Sequence, residues 1–250
     1  MEGVTTCTDA VESFLEAVAE RDADLRAFVQ IDSTRLRSEA AMHDAIPQDA
    51  RGPLHGRLVA VKEVFDVAGY TCAWGTPIHR DRVPKTDAAA VHLLRDAGAI
   101  IAGITVSTEY AMSRVGPTVN PWDPARTPGA SSQGSAAAVG AGLVPLALGS
   151  QTIGSVIRPA AYCGCVGVKP TWGVIDVTGC MPLAAPIDHV GYLVSNTDLA
   201  RTVLALLAPG LDATVRPDRV IAIQPWYDAE TETHVIAAVA SAMAVLGATG

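Results

Sequence analysis

The stretch 127–158 constrains the fold more than any other part of this 250-residue chain. It reads TPGASSQGSAAAVGAGLVPLALGSQTIGSVIR, in which two Gly- and Ser-rich loops flank an uncharged run of small apolar residues. Glycine and serine at this density cost backbone entropy and forfeit packing, so they need a reason such as unusual dihedral angles or close approach of the backbone to a ligand. The pattern predicts two catalytic loops joined by a buried helix within 136–148.

Around this stretch, helical and strand-like segments alternate along the chain. The run Leu-Val-Ala-Val at 58–61 is continuously apolar, which is typical of a strand buried on both faces. A helix starting near Asp87 precedes an apolar strand at 100–104. Further segments are predicted as helices at 198–207 and 233–246 and as a strand at 220–223. This alternation indicates an α/β fold.

Composition and charge exclude several classes of protein. The formal net charge is −8 without a basic block, which argues against a nucleic-acid partner. The acidic N-terminal segment lacks the basic and apolar regions of a signal peptide, and the apolar segments 136–148 and 235–246 are shorter than the roughly 20 residues of a spanning helix. The five cysteines lack paired C-x-x-C spacing. We expect a cytoplasmic protein with reduced thiols, without metal and without membrane association.

The two Gly- and Ser-rich loops suggest different chemistry. The loop 129–135 has the glycine spacing of a phosphate cradle, but Lys is missing after the second glycine, so a helix cap is the better interpretation. The loop 149–155 presents consecutive N–H groups before Ser155, and such a run can stabilise an oxyanion. A serine nucleophile needs a base. Asp188 and His189 are adjacent on an extended segment and point to opposite faces, so a structural hydrogen-bonding role is favoured for them over catalysis.

Lys62, at the end of the 58–61 run, is the other candidate base and has two interpretations. Its ammonium group either reaches solvent or pairs with Glu63 or Asp66, or it is held at the edge of the core, where desolvation disfavours the charged form. A base at neutral pH requires a pKa lowered from about 10.4 to near 7 or 8, roughly 4 kcal/mol. Ser131 is a hydroxyl that can relay the proton.

Three blocks, 52–69, 127–173 and 186–191, resemble the amidase signature family, the Ser-cisSer-Lys amidases, in order and spacing over nearly the whole chain. The resemblance implies a mixed β-sheet covered by helices and no cofactor. It implies Lys62 as base, Ser131 after a cis peptide bond as the bridging serine, and Ser155 as the acylated nucleophile. The implied oxyanion hole consists of the N–H groups of Thr152, Ile153, Gly154 and Ser155.

The resemblance also implies hydrolysis of the C–N bond of a small linear amide to an acid plus ammonia or an amine, through a Ser155 acyl-enzyme. Arg158 either contacts an acidic substrate or forms a structural salt bridge. Alternatives are a glutamine-hydrolysing subunit of an amidotransferase, a catalytically silent homologue with a binding role and, most weakly, a nucleotide-binding protein. A homodimer is left open as the assembly state.

Two features depart from the family pattern. Ala130 and Ile153 stand where the family usually has Gly, and a β-branched residue such as Ile153 tolerates a positive φ badly, so we expect a disturbed oxyanion loop. Family members are also usually much longer. We therefore interpret residues 1–250 as the N-terminal portion of one amidase signature domain, incomplete at its C-terminus.

Overall fold

The computed structural model describes residues 6–112, 114–211 and 231–247. The chain divides into two compact units, Met1–Pro209 and Gly210–Gly250, each described by itself. The predicted strand at 220–223 lies outside the described residues. The assignment of 1–250 to a single domain stays a prediction.

The first unit contains six α-helices and six strands among its described residues. Its helices are α1 (Cys7–Leu25), α2 (Ser33–Asp44), α3 (Ala89–Asp96), α4 (Gln133–Gly140), α5 (Ile157–Cys163) and α6 (Thr197–Leu207). Its strands are β1 (Phe28–Gln30), β2 (Leu58–Lys62), β3 (Ile100–Thr105), β4 (Leu146–Gln151), β5 (Val166–Val168) and β6 (His189–Val194). Short 3₁₀ turns span Gln48–Ala50, Pro77–His79 and Glu109–Ala111. The described part of the second unit contains α7 (Thr233–Leu246), where a helix was predicted.

The strands form one mixed sheet in the order β1-β3-β2-β4-β6-β5. Strand β2 is parallel to both of its neighbours, β3 and β4, whereas the remaining pairs are antiparallel. Every residue of β2 is buried, in agreement with the apolar run seen in the sequence. A parallel strand needs cover on both faces, which explains why its sequence does not alternate between apolar and polar residues. The predicted α/β fold with a mixed sheet is therefore confirmed.

Helices cover the two faces of this sheet and create two apolar clusters. On one face, Val59 and Val61 of β2 belong to a cluster with residues of α3 and α6. On the other, Leu58 and Ala60 belong to a cluster with residues of α1, α2, α4 and α5. The side chains of β2 thus alternate between two cores, and the helices that carry the Gly- and Ser-rich segments lie on the second face.

The predicted buried helix within 136–148 is only partly right. Helix α4 ends at Gly140, and the residues from Leu146 onward form β4, which is paired with both β2 and β6. Gly142 has a φ of 72°, a left-handed conformation that ends the helix, and Pro145 favours an extended residue before it. The apolar run was long enough to resemble one helix because the strand that follows the turn is also buried. Gly149, Ser150 and Gln151 consequently belong to a strand rather than to a loop.

Candidate active site

Lys62 lies at the carboxyl end of β2, and its side chain is completely buried. Its Nζ donates hydrogen bonds to Ser131 Oγ at 2.8 Å and to Ser150 Oγ at 2.9 Å. Within the described residues, Lys62 forms no ion pair with Glu63 or Asp66. Of the two interpretations of this lysine, the structure therefore supports the one in which it is held in the core.

Burial lowers the pKa of Lys62 to about 7, because the ammonium form is poorly solvated in the interior. The negative forms of Cys180, Glu63 and Asp188 act in the opposite direction but more weakly. Burial also raises the pKa of Glu63, whose carboxylate accepts a hydrogen bond from the Ser107 N–H at 2.8 Å. A neutral amine at Lys62 is therefore well populated near pH 7, and its lone pair can accept a proton from the hydroxyl that it contacts.

Ser131 lies just before α4, and the peptide bond between Ala130 and Ser131 is cis. The preceding Gly129 has a φ of 82°, and a Cβ atom there would lie 2.7 Å from Pro159 Cα. Glycine is therefore required at this position for both backbone conformation and space. It allows the loop to approach α5 closely and sets the chain direction into Ser131.

Arg158 reaches this loop from α5. Its Nη2 donates to the carbonyl oxygen of Ala130 at 2.8 Å. In the part of the chain that the structure describes, it has no carboxylate partner, so the predicted alternative of a structural salt bridge is not seen. Arg158 also lines the cavity described below. Its contact with Ala130 connects the two segments that carry the candidate serines.

Ser155 is half-buried in the turn between β4 and α5. The N–H groups of residues 152–155 donate to no acceptor among the described residues, so they are free to receive a ligand. Neither Ile153 nor Gly154 has a positive φ. The disturbance expected from a β-branched residue at 153 therefore does not arise, because the turn does not use the left-handed region at that position.

The side chain of Gln151 fixes the shape of this turn. Its Oε1 accepts from the N–H groups of Val156 at 2.8 Å and Ile157 at 3.0 Å, and its Nε2 donates to Ile153 O at 3.2 Å. Buried Gln151 thus satisfies backbone groups on both sides of Ser155. These three hydrogen bonds of the Gln151 side chain therefore hold the loop that contains the free N–H groups.

Asp188, the residue before β6, holds the same turn through the side chain of Thr152. It accepts hydrogen bonds from Thr152 Oγ1 at 2.6 Å, Leu183 N at 2.8 Å and Ala184 N at 2.7 Å. The ring Nδ1 of His189 lies 3.2 Å from Gln151 O. The structure therefore agrees with the hydrogen-bonding role that the sequence favoured for Asp188 and His189.

A cavity of about 530 Å³ opens over this turn. Its lining residues come from four parts of the chain: Ala111, Met112 and Val115; Thr127, Gly129 and Ala130; Thr152, Ile153, Gly154, Ser155, Arg158 and Tyr162; and Leu183. Ser155 and its neighbouring N–H groups thus line one cavity. Lys62 and Ser131 are not among its lining residues and are almost fully buried, at 0% and 1% exposure.

The described residues contain no group of three or more His, Cys, Asp or Glu side chains placed to hold a metal ion. None of the helices in this part of the chain is both long and apolar enough to cross a membrane.

Sequence reasoning missed two polar residues of the site, Ser150 and Gln151. Both were assigned to a loop, although their side chains contact Lys62 and the turn around Ser155. The available signal was their position: polar residues at the carboxyl end of a buried strand, beside another strand that ends in a buried lysine. Once β4 is recognised as a strand parallel to β2, these residues fall at the same edge of the sheet.

The fold and the site define an α/β protein in which a buried lysine contacts two serine hydroxyls near a turn of free N–H groups. The chain belongs to the amidase family, whose profile matches residues 9–239. It is 41% identical over 215 residues to one of the subunits of the glutamyl-tRNA(Gln) amidotransferase of Salinibacter ruber, covering 82% of this chain and 41% of that protein. The chain thus spans less than half the length of this relative.

Solved structures give the same family. One is a protein of a vestigial complex studied for the evolutionary origins of an s-triazine catabolic enzyme, with a TM-score of 0.86, 35% identity, and coverage of 98% of this chain and 60% of that one. Another is the peptide amidase of Stenotrophomonas maltophilia, with a TM-score of 0.76, 32% identity, and coverage of 86% of this chain and 48% of that one. The chain therefore has the amidase signature fold.

Proposed function

We propose that the protein hydrolyses the C–N bond of a small linear amide through an acyl-enzyme on Ser155, without a cofactor. The observation that supports this most directly is the buried Lys62 amine, 2.8 Å from Ser131 Oγ and with a pKa of about 7. A buried amine of this pKa beside a serine is suited to general base catalysis at neutral pH. The cavity that contains Ser155 provides space for the substrate.

In the proposed mechanism, Ser155 Oγ attacks the amide carbonyl while its proton passes through Ser131 to the lone pair of Lys62. The developing oxyanion accepts hydrogen bonds from the free N–H groups of residues 152–155, a contribution on the order of 3 kcal/mol per donor. The C–N bond then breaks, and the same relay delivers the proton to the leaving ammonia or amine. Water attacks the acyl-enzyme by the reverse route and releases the acid.

Ammonia release from simple amides tests this proposal. The protein and its Ser155→Ala variant are compared under identical conditions, with circular dichroism to establish that both are folded. We expect the variant to lose all activity above background, because the acyl-enzyme cannot form. Equal rates in the two proteins would refute the assignment of Ser155.

A glutamine-hydrolysing component of an amidotransferase is the second candidate. It is favoured by the 41% identity to an amidotransferase protein. Ammonia release from glutamine alone among a panel of amides, together with copurification of a partner protein, would support it over a free-standing amidase. A catalytically silent homologue is the third possibility, and covalent labelling of Ser155 by a serine-directed probe would argue against it.

A further inference from the structure

Large apolar side chains surround the mouth of the cavity that contains Ser155. Ile153 is 90% exposed, Val115 62%, Met112 58% and Tyr162 47%. Single exposed apolar residues are ordinary on protein surfaces, but several around one concave site mark a surface that receives an apolar group. We call these four residues the apolar rim.

Ile153 is the member of the rim nearest to the proposed chemistry. Its own N–H is one of the free groups of the turn, so an oxyanion bound there lies beside the Ile153 side chain. Gln151 Nε2 holds the carbonyl oxygen of Ile153 at 3.2 Å, which fixes this residue relative to Ser155. The chain therefore carries an exposed, bulky apolar side chain on a residue whose N–H is proposed to bind the oxyanion.

The burial of the relay determines which part of a substrate meets the rim. Ser131 and Lys62 are almost completely buried and do not line the cavity. A leaving group must face the relay that protonates it, so it points toward two side chains that solvent does not reach. The acyl substituent then extends outward toward the rim. Arg158 is the one charged residue among the described residues of the lining, and its Nη2 is already bonded to Ala130 O.

We infer that Ile153 determines specificity and that the site prefers primary carboxamides with an apolar acyl group, aryl or branched alkyl, over small or acidic ones. This inference rests on the proposed amide hydrolysis. In the bound state the acyl group covers Ile153 and removes its apolar surface from water. Truncation of Ile153 should therefore weaken the recognition of large apolar acyl groups and leave small ones nearly unaffected.

The test compares the protein with Ile153→Ala and with Ile78→Ala, a matched control at an isoleucine that is 73% exposed and does not line the cavity. The substrates are 3-phenylpropionamide, acetamide and succinamic acid, and kcat/KM is measured from ammonia release. We expect Ile153→Ala to lower the ratio of kcat/KM for 3-phenylpropionamide over acetamide by up to about tenfold, the lower end of what one methylene contributes in an enclosed apolar pocket. Ile78→Ala should leave the ratio unchanged.

Binding of 2-phenylethylboronic acid and methylboronic acid, which add to a serine hydroxyl, provides a readout that does not need turnover. A selective loss of 2-phenylethylboronic acid affinity in Ile153→Ala supports the inference, whether or not an amide is hydrolysed. The absence of amide hydrolysis would reject only the proposed function. An equal effect on both boronic acids, or a preference of the unmodified protein for succinamic acid, would overturn the inference while leaving amide hydrolysis intact.

Discussion

Replacing Lys62 with methionine changes how the stability of the protein depends on pH. The folded state holds this amine in the interior with a pKa of about 7, whereas an unfolded chain has the ordinary value of 10.5. Between these two values, the unfolded chain binds more protons at this site than the folded protein does. The free energy of unfolding contributed by Lys62 therefore rises with pH across this window and is lowest below pH 7.

The magnitude follows from the same two pKa values. A group that is protonated in the unfolded chain and deprotonated in the folded protein changes the free energy of unfolding by about 1.4 kcal/mol per pH unit. The slope is smaller near pH 7, where the folded lysine is half protonated. From pH 7 to pH 9 the contribution rises by about 2 kcal/mol. Methionine has no proton to bind, so the stability of Lys62→Met relative to the unmodified protein should fall by that amount over the same range.

Urea denaturation at several pH values from 6 to 9 measures this difference. Subtracting the two stability curves removes the titration of groups that do not sense Lys62, and the loss of the hydrogen bonds to Ser131 and Ser150 appears as a nearly constant offset. Lys85→Met is a suitable control because Lys85 is exposed. For this control we expect a difference that stays constant from pH 7 to pH 9. If the Lys62→Met difference is equally flat, the amine is not desolvated in the folded protein, and the argument for a neutral base fails.

Three further predictions follow from the site. First, kcat/KM for amide hydrolysis should rise with pH through about 7 as Lys62 loses its proton, which a pH–rate profile checks. Second, Gln151→Leu should lower kcat about 100-fold by releasing the turn around Ser155, whereas Gln151→Glu, which keeps the acceptor oxygen, should lose less; equal kcat values in all three proteins would contradict this. Third, Gly129→Ala should lower the melting temperature more than Gly142→Ala, because both have positive φ but only the first brings a Cβ within 2.7 Å of Pro159; similar losses in the two variants would show that packing at Gly129 is unimportant.

The sequence predicted those parts of the fold that depend on local pattern. The apolar run of β2, the strand β3 and the helices α6 and α7 each have a periodicity or length that identifies them. The boundary between α4 and β4 was missed because both elements are buried and apolar, and pattern alone does not distinguish a buried strand from part of a buried helix. The break depends on Gly142 and Pro145 and on strand pairing, which is a tertiary interaction.

The contact between Lys62 and Ser150 was hard to predict for a different reason, which concerns the face of the sheet that each side chain occupies. Along β2, Lys62 continues the alternation of Leu58 and Ala60, which face the α4 cluster. Along β4, Ser150 continues the alternation of residues that face the opposite cluster. Strict alternation would therefore keep the lysine and this serine on different faces of the sheet.

They meet because both lie at the carboxyl ends of their strands. The pairing of Val61 with Leu148 sets Lys62 level with Gly149, which has no side chain to obstruct a long neighbour. Lys62 Nζ can then reach beyond the end of the sheet and contact Ser131 at the entrance to α4 and Ser150 on β4 together. A shift of the β2–β4 pairing by one residue would set Lys62 level with Leu148 or Ser150 instead, so the register of two central strands determines whether this amine contacts both serines.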